Sequence, residues 1–203
     1  MILFFRKSLQ IACIALAASQ AALAQSDTVN VLISTNLGEI EVMLNVKQAP
    51  ITATNFLNLA DGGHFDGASF YRTVTHENDN GSPKIQVIQG GRNYAPNPFA
   101  PIAHESTDQT GILHTDGVIS MARSEVGTAG TEFFICIGDQ PGLDHGQPRN
   151  ADGQGFAAFG KVVRGMDVVR AINSAATQSA SDSEYTVGQI LAEPVIIESV
   201  RRI

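Results

Sequence analysis

Short runs of alternating apolar and polar residues, each ended by turn formers, constrain this chain more than any other feature. Val29 to Thr35 and Glu39 to Leu44 flank Asn36-Leu37-Gly38 and read as a hairpin. Ile40, Val42 and Leu44 should face a core, with Glu39 and Glu41 outside. Further strand-like runs cover 69–74, 85–91, 117–122, 131–137, 156–163 and 195–201. Two stretches carry helical spacing. Pro50 suits a first turn, Ala53, Phe56, Leu57 and Ala60 share a face, and Gly62-Gly63 ends the helix; Val168, Val169 and Ile172 mark a second helix over 166–174. The stretch 93–115, rich in Pro and polar residues, reads as irregular. Many short strands with few helices and no repeat suggest a closed or nearly closed antiparallel barrel plugged by helices, because closure removes unpaired edges. Periodicity alone leaves a sandwich open.

The N-terminus reads as a separate, removable segment. Arg6 and Lys7 precede an apolar run from Leu9 to Ala18, followed by Ala22-Leu23-Ala24, which is the pattern of a secretory signal peptide over 1–24. The run is well short of the roughly 20 residues that span a bilayer, so no membrane insertion is expected after processing. Removing two cations would take the formal charge from -7 to -9, leaving an acidic domain over 25–203 with periplasmic location as the expectation. Acidity argues against a nucleic-acid partner, whose phosphates want a basic face. Cys13 would leave with the leader, so Cys136, within an apolar strand, is expected to be a buried, inert thiol. A monomer is expected.

Within 65–91, Arg72 and Gln89 are polar residues among apolar neighbours. Alternation puts Phe70 and Arg72 on one strand face, and Val87 and Gln89 on one face opposite Ile88. Two readings stay open at this point: an edge arginine laying its stem on the sheet with Gln89 as partner, or a guanidinium and an amide projecting over an apolar patch. The loop 75–84, full of Asn, Asp, Gly, Ser and Pro, is an exposed excursion that re-aims the second strand or shapes a rim. His64, His76, His104, His114 and His145 show no metal-ligand spacing and read as solvated loop histidines. Ser120, Ser124 and His145 lack the Gly-x-Ser-x-Gly elbow of a hydrolase.

Taken together, Gly38-Glu39-Ile40, Ala49-Pro50, Asn55-Phe56, Phe65-Asp66-Gly67, Phe70-Tyr71-Arg72, Gln89-Gly90-Gly91, Ser120-Met121-Ala122-Arg123, Glu132-Phe133-Phe134-Ile135, Leu143-Asp144 and Phe159-Gly160-Lys161-Val162 resemble the cyclophilins, peptidyl-prolyl cis-trans isomerases, and in particular exported bacterial members. The resemblance implies an eight-stranded closed antiparallel barrel capped by two helices, with the active site on its outer surface. It implies that Arg72 is the catalytic arginine with Gln89 beside it, that Phe134 and Leu143 wall a proline pocket, and that the backbone at Ala122 and Arg123 binds the peptide. No cofactor and no metal are implied. The partners it implies are proline-containing peptides and unfolded exported proteins. The chain departs from the family at Gln86-Val87, where Phe-Met is usual, at Gly142, where a tryptophan is usual, and at Phe156, where a histidine lines the pocket. Gln86, Val87 and Phe156 are therefore expected in the substrate-binding set. The rival is an exported chaperone or proline-peptide binding module with little or no catalysis.

Overall fold

The computed structural model describes residues 26–93, 97–178, 181 and 183–203. The segment 1–24, expected to be a signal peptide, lies outside them. The hairpin forms as its alternation dictates: β1 (Val29–Thr35) pairs with β2 (Gly38–Leu44) in register Ile33↔Ile40, with Ile40, Val42 and Leu44 buried. Then follow β3 (Ala68–Val74), β4 (Val87–Gly91), β5 (Val118–Met121), β6 (Phe133–Cys136), β7 (Ala157–Arg164), the two-residue β8 (Thr177–Gln178) and β9 (Ile190–Arg202). The strand order β1-β2-β7-β5-β6-β4-β3-β9 closes through antiparallel β1–β9 pairing into an eight-stranded barrel, with β8 added on β9. β9 begins five residues ahead of the expected 195, because its first residues pair with β8 and with Arg72 of β3.

Two helices lie where their periodicity places them, α1 (Pro50–Asp61) and α3 (Met166–Asn173), and α1 buries Ala53, Phe56, Leu57 and Ala60. A third, short helix, α2 (Thr107–Thr110), occupies part of the stretch expected to be irregular, started by a capping box at Ser106 and Gln109 and ended by left-handed Gly111. Immediately before it, Glu105 reaches the start of α1, where its carboxylate accepts from the backbone N–H of Ile51 and Thr52 and from the Thr52 hydroxyl. That answers donors which Ala49, without a capping side chain, leaves open.

The barrel interior is full. Phe56, Phe65, Phe70, Phe133 and Phe159 are fully buried, with ring centroids 4.8 to 5.6 Å apart in tilted and edge-on pairs. Strand alternation then places a second apolar cluster on the outside of the wall: Phe133 and Ile135 point in, while Phe134 and Cys136 join Val74, Ile85, Val87 and Leu143 outside. A filled interior and an apolar outer patch leave only the outer face for a site. Cys136 is fully buried there, and burial holds its thiol well above its ordinary pKa.

Candidate active site on the outer barrel wall

Phe70 and Arg72 do not share a face, contrary to simple alternation. The β3–β4 and β3–β9 registers both shift between Phe70 and Arg72, a bulge at Tyr71 that leaves Phe70 in the core and turns Arg72 outward. Gly90 opposite Phe70 is part of this geometry, since a Cβ there would lie 2.9 Å from the Ser69 carbonyl oxygen. Val87 and Gln89 face outward and Ile88 inward, as their spacing predicts.

Arg72 stands directly opposite Gln89 and is held in a directed array. Its Nη1 donates to Gln89 Oε1 at 2.7 Å, while Nε and Nη2 donate to Gln189 Oε1 at 2.9 and 2.6 Å. The Gln89 amide nitrogen donates in turn to the Tyr71 hydroxyl at 2.8 Å, and Tyr71 donates to Glu132 Oε2 at 2.7 Å. Each partner fixes the next, so the amide orientation of Gln89 follows from the network. Burial drives the Tyr71 phenol far above its ordinary pKa, with the Glu132 carboxylate adding to the effect. Burial pulls the Arg72 guanidinium down, while the neighbouring phenol of Tyr185 opposes it. Gln189, fully buried, is a site residue that no motif flagged; the oddity of an amide within Val187-Gly188-Gln189-Ile190 was the available signal.

Arg72, Gln89, Val87, Ala122, Arg123, Phe134, Leu143 and Phe156 line one cavity of about 520 Å³, joined by Ile85, Arg149 and Tyr185. Phe134 and Phe156 meet edge-on at 5.3 Å. The Arg123 side chain is engaged elsewhere: it forks onto Asp152 at 2.7 and 2.9 Å, donates to the Gly155 carbonyl and stacks over Phe156 at 5.3 Å. Arg123 draws the Asp152 carboxyl down to about 2.

Gln86 is not part of this site. Its amide donates to Asn173 Oδ1 of α3 at 2.8 Å, and Asn173 also donates to the Val74 and Val87 carbonyls. The residue before it, Ile85, supplies the apolar contact instead. At Gly142, where the resemblance implies a tryptophan, the loop 75–84 packs close by. A Cβ on Gly142 would lie 2.5 Å from Pro83 Cγ, so the Pro83 ring occupies the space beside it.

The loop carrying Pro83 is anchored by a buried ion pair. Asp79 accepts from Arg149 Nη1 and Nη2 at 2.7 and 2.9 Å and from the N–H groups of Gly81 and Ile85. Burial alone would raise the Asp79 carboxyl, but Arg149 and the two N–H groups outweigh it and hold the group below its ordinary value.

His114 corrects the expectation of solvated histidines. It is 1% exposed and stacks on Phe134 at 5.9 Å and 14°, with Nδ1 2.7 Å from Asp144 Oδ1 and Nε2 3.0 Å from Ser120 Oγ. Ser120 is fully buried, so this Ser-His-Asp array cannot meet a substrate; it backs the Phe134 ring.

The family description "cyclophilin type peptidyl-prolyl cis-trans isomerase/CLD" matches residues 30–201. Peptidyl-prolyl cis-trans isomerase A of Dickeya dadantii is 32% identical over 194 residues, covering 93% of this chain and 92% of that one. The isomerase cyp18 of Streptomyces antibioticus is 32% identical over 175 residues, covering 83% and 95%. A solved cyclophilin type isomerase of Cryptosporidium parvum superposes with a TM-score of 0.66 at 19% identity, covering 87% of this chain and 98% of that one. A second structure of that protein, described as in the presence of dipeptide Ala-Pro, gives 0.63 at 21% identity, covering 86% and 98%. The match over residues 30–201 and the 32% identity across 93% of the chain show that the chain belongs to the cyclophilin type peptidyl-prolyl cis-trans isomerase family.

Proposed function

We propose that this protein accelerates rotation about X-Pro bonds of exported proteins, with Arg72 as the catalytic donor. The supporting observation is the Arg72 guanidinium, fixed by Gln89 and Gln189 at the edge of the apolar cavity that contains Phe134. An X-Pro amide rotates slowly because conjugation resists twisting, with a barrier of about 18–20 kcal/mol. In the twisted state the nitrogen regains a lone pair. A guanidinium N–H can bond that lone pair only then, so it favours the transition state over both ground states.

Three of the five guanidinium N–H groups go to the two glutamines, which aims the fork while leaving donors for a substrate. Val87, Ile85, Phe134, Leu143 and Phe156 hold the ring in a water-poor hollow where such a bond gains strength. The backbone at Ala122 and Arg123 clamps one flank so that the other turns against it. Export is inferred from the leader pattern over 1–24, with periplasmic clients as part of the same proposal.

Cis-to-trans conversion of an Ala-Pro peptide tests the donor. Arg72→Lys should lose about 100-fold in kcat/KM, since a point charge cannot keep the fork held by two glutamines. Unchanged turnover would remove Arg72 from the mechanism, and peptide binding without turnover in the wild type would make the protein a binding module. Finding Gln25 as the N-terminus of the periplasmic form would test export; an uncleaved chain in the cytosolic fraction would refute it.

A further inference from the structure

One wall of the cavity has no part in the reaction described above. Tyr185 lies in the turn Glu184–Thr186, is 48% exposed and lines the cavity with Arg72. The guanidinium carbons of Arg72 and Arg149 stand over its ring, 5.3 and 5.7 Å from the centroid. Arg149 Nη2 donates to the Tyr185 hydroxyl oxygen at 2.7 Å. Arginine has no acceptor to offer, so the phenol oxygen must accept there, and its single O–H is left to donate elsewhere. Arg149 offers a ligand little of its own, because its terminal nitrogens also serve the Asp79 carboxylate and the Pro83 carbonyl. A half-exposed ring held by two guanidinium groups at the edge of a peptide-sized cavity therefore presents a preoriented neutral donor.

We propose that Tyr185 is a specificity-determining residue whose hydroxyl donates to a substrate backbone carbonyl outside the X-Pro unit, on the flank that Ala122 and Arg123 do not hold. The ligand chemistry is that of an extended polypeptide: an amide acceptor for the phenol, and apolar or aromatic side chains against the exposed ring face. The protein thereby favours X-Pro units embedded in longer chains over isolated ones. This inference rests on the isomerase reading and deepens it.

NMR exchange measurements on the Ala-Pro dipeptide and on a hexapeptide with the same unit at its centre test it. Tyr185→Phe keeps the ring and its stacking and removes only the hydroxyl. It should lose about fivefold in kcat/KM on the hexapeptide, chiefly through KM, and less than twofold on the dipeptide, the scale of one hydrogen bond. Equal losses on both peptides would mean that the hydroxyl acts only through Arg149 or Arg72, and no loss on the hexapeptide would mean that it meets no substrate; either overturns the proposal while the isomerase reading stands. A wild type that turns over neither peptide would overturn that reading and this inference with it.

Discussion

The strand-built edge of the cavity and its loop-built rim solve different problems. On β3 and β4 the polar groups form a directed series from Arg72 through Gln89 to Tyr71, ending on Glu132 just ahead of β6. On the rim, Ile85, Arg149 and Tyr185 come from three loops, with the buried pair Asp79–Arg149 and the Arg149–Tyr185 hydrogen bond at their junction. The strands carry the Arg72 donor and Gln89, with Gln189 from the turn ahead of β9 completing the aim, while the loops add the Ile85 side chain and the Tyr185 ring. The hollow thus keeps an apolar wall although Gln86 turns away to Asn173. The catalytic donor sits on a strand and is aimed in part from one turn, at Gln189, while apolar filling comes largely from loops.

The sharpest way to separate the two regions is to break the pair. Asp79→Ala leaves the Arg149 guanidinium buried without a carboxylate, a change of about 3–5 kcal/mol. If the rim is a separate unit, amide exchange at Gly81 and Ile85 accelerates while Ile88 and Ile135 keep their protection; equal acceleration in the strands would erase the distinction. Acid should act on the same pair. The Asp79 carboxyl is held below its ordinary value of 3.8, so the stabilisation is complete above that pH and fades only as pH falls through the lower, folded value. The carbon resonance of the Asp79 carboxyl should therefore titrate with a midpoint under 3.8.

A smaller effect tests whether the loops fill volume. Gly142→Ala places a methyl 2.5 Å from the Pro83 ring, and overpacking of this kind costs about 1–3 kcal/mol. Pro83→Ala in the same chain should recover most of that cost in urea unfolding, and independent, additive costs would show that the two do not touch. The smallest effect probes the strand edge. Tyr71→Phe removes the acceptor of the Gln89 amide and the donor to Glu132, worth about 1 kcal/mol or roughly fivefold in kcat, with melting temperature little changed.

Most of the barrel was legible because period-2 patterning carries it: Ile40, Val42 and Leu44, or Val87 against Ile88, fall on the faces their spacing assigns. Arg72 and Gln89 stood out for the same reason, as polar residues in apolar runs. What escaped depends on an added residue or on distant chain. The bulge at Tyr71 reverses the face of Arg72 relative to Phe70, and nothing in Phe70-Tyr71-Arg72 announces it. Gln86 turns to Asn173, 87 positions away, and His114 is buried by Asp144 and Phe134 from other segments. Helix α2 is four residues long, below what periodicity can detect, although Ser106 and Gln109 carried its start signal.

The seam between β1 and β9 has a consequence for the protein's own birth. Val31 faces Arg202 across that seam, so the sheet stays open until β9 has followed the other strands. Until then β1 and β3 each present a bare row of amides to any neighbour. Their joining spans most of the chain and is among the most non-local contacts it can make, the kind that forms slowly. A molecule whose task is to hasten a sluggish turn in others must first wait for its own distant β1 and β9 to meet.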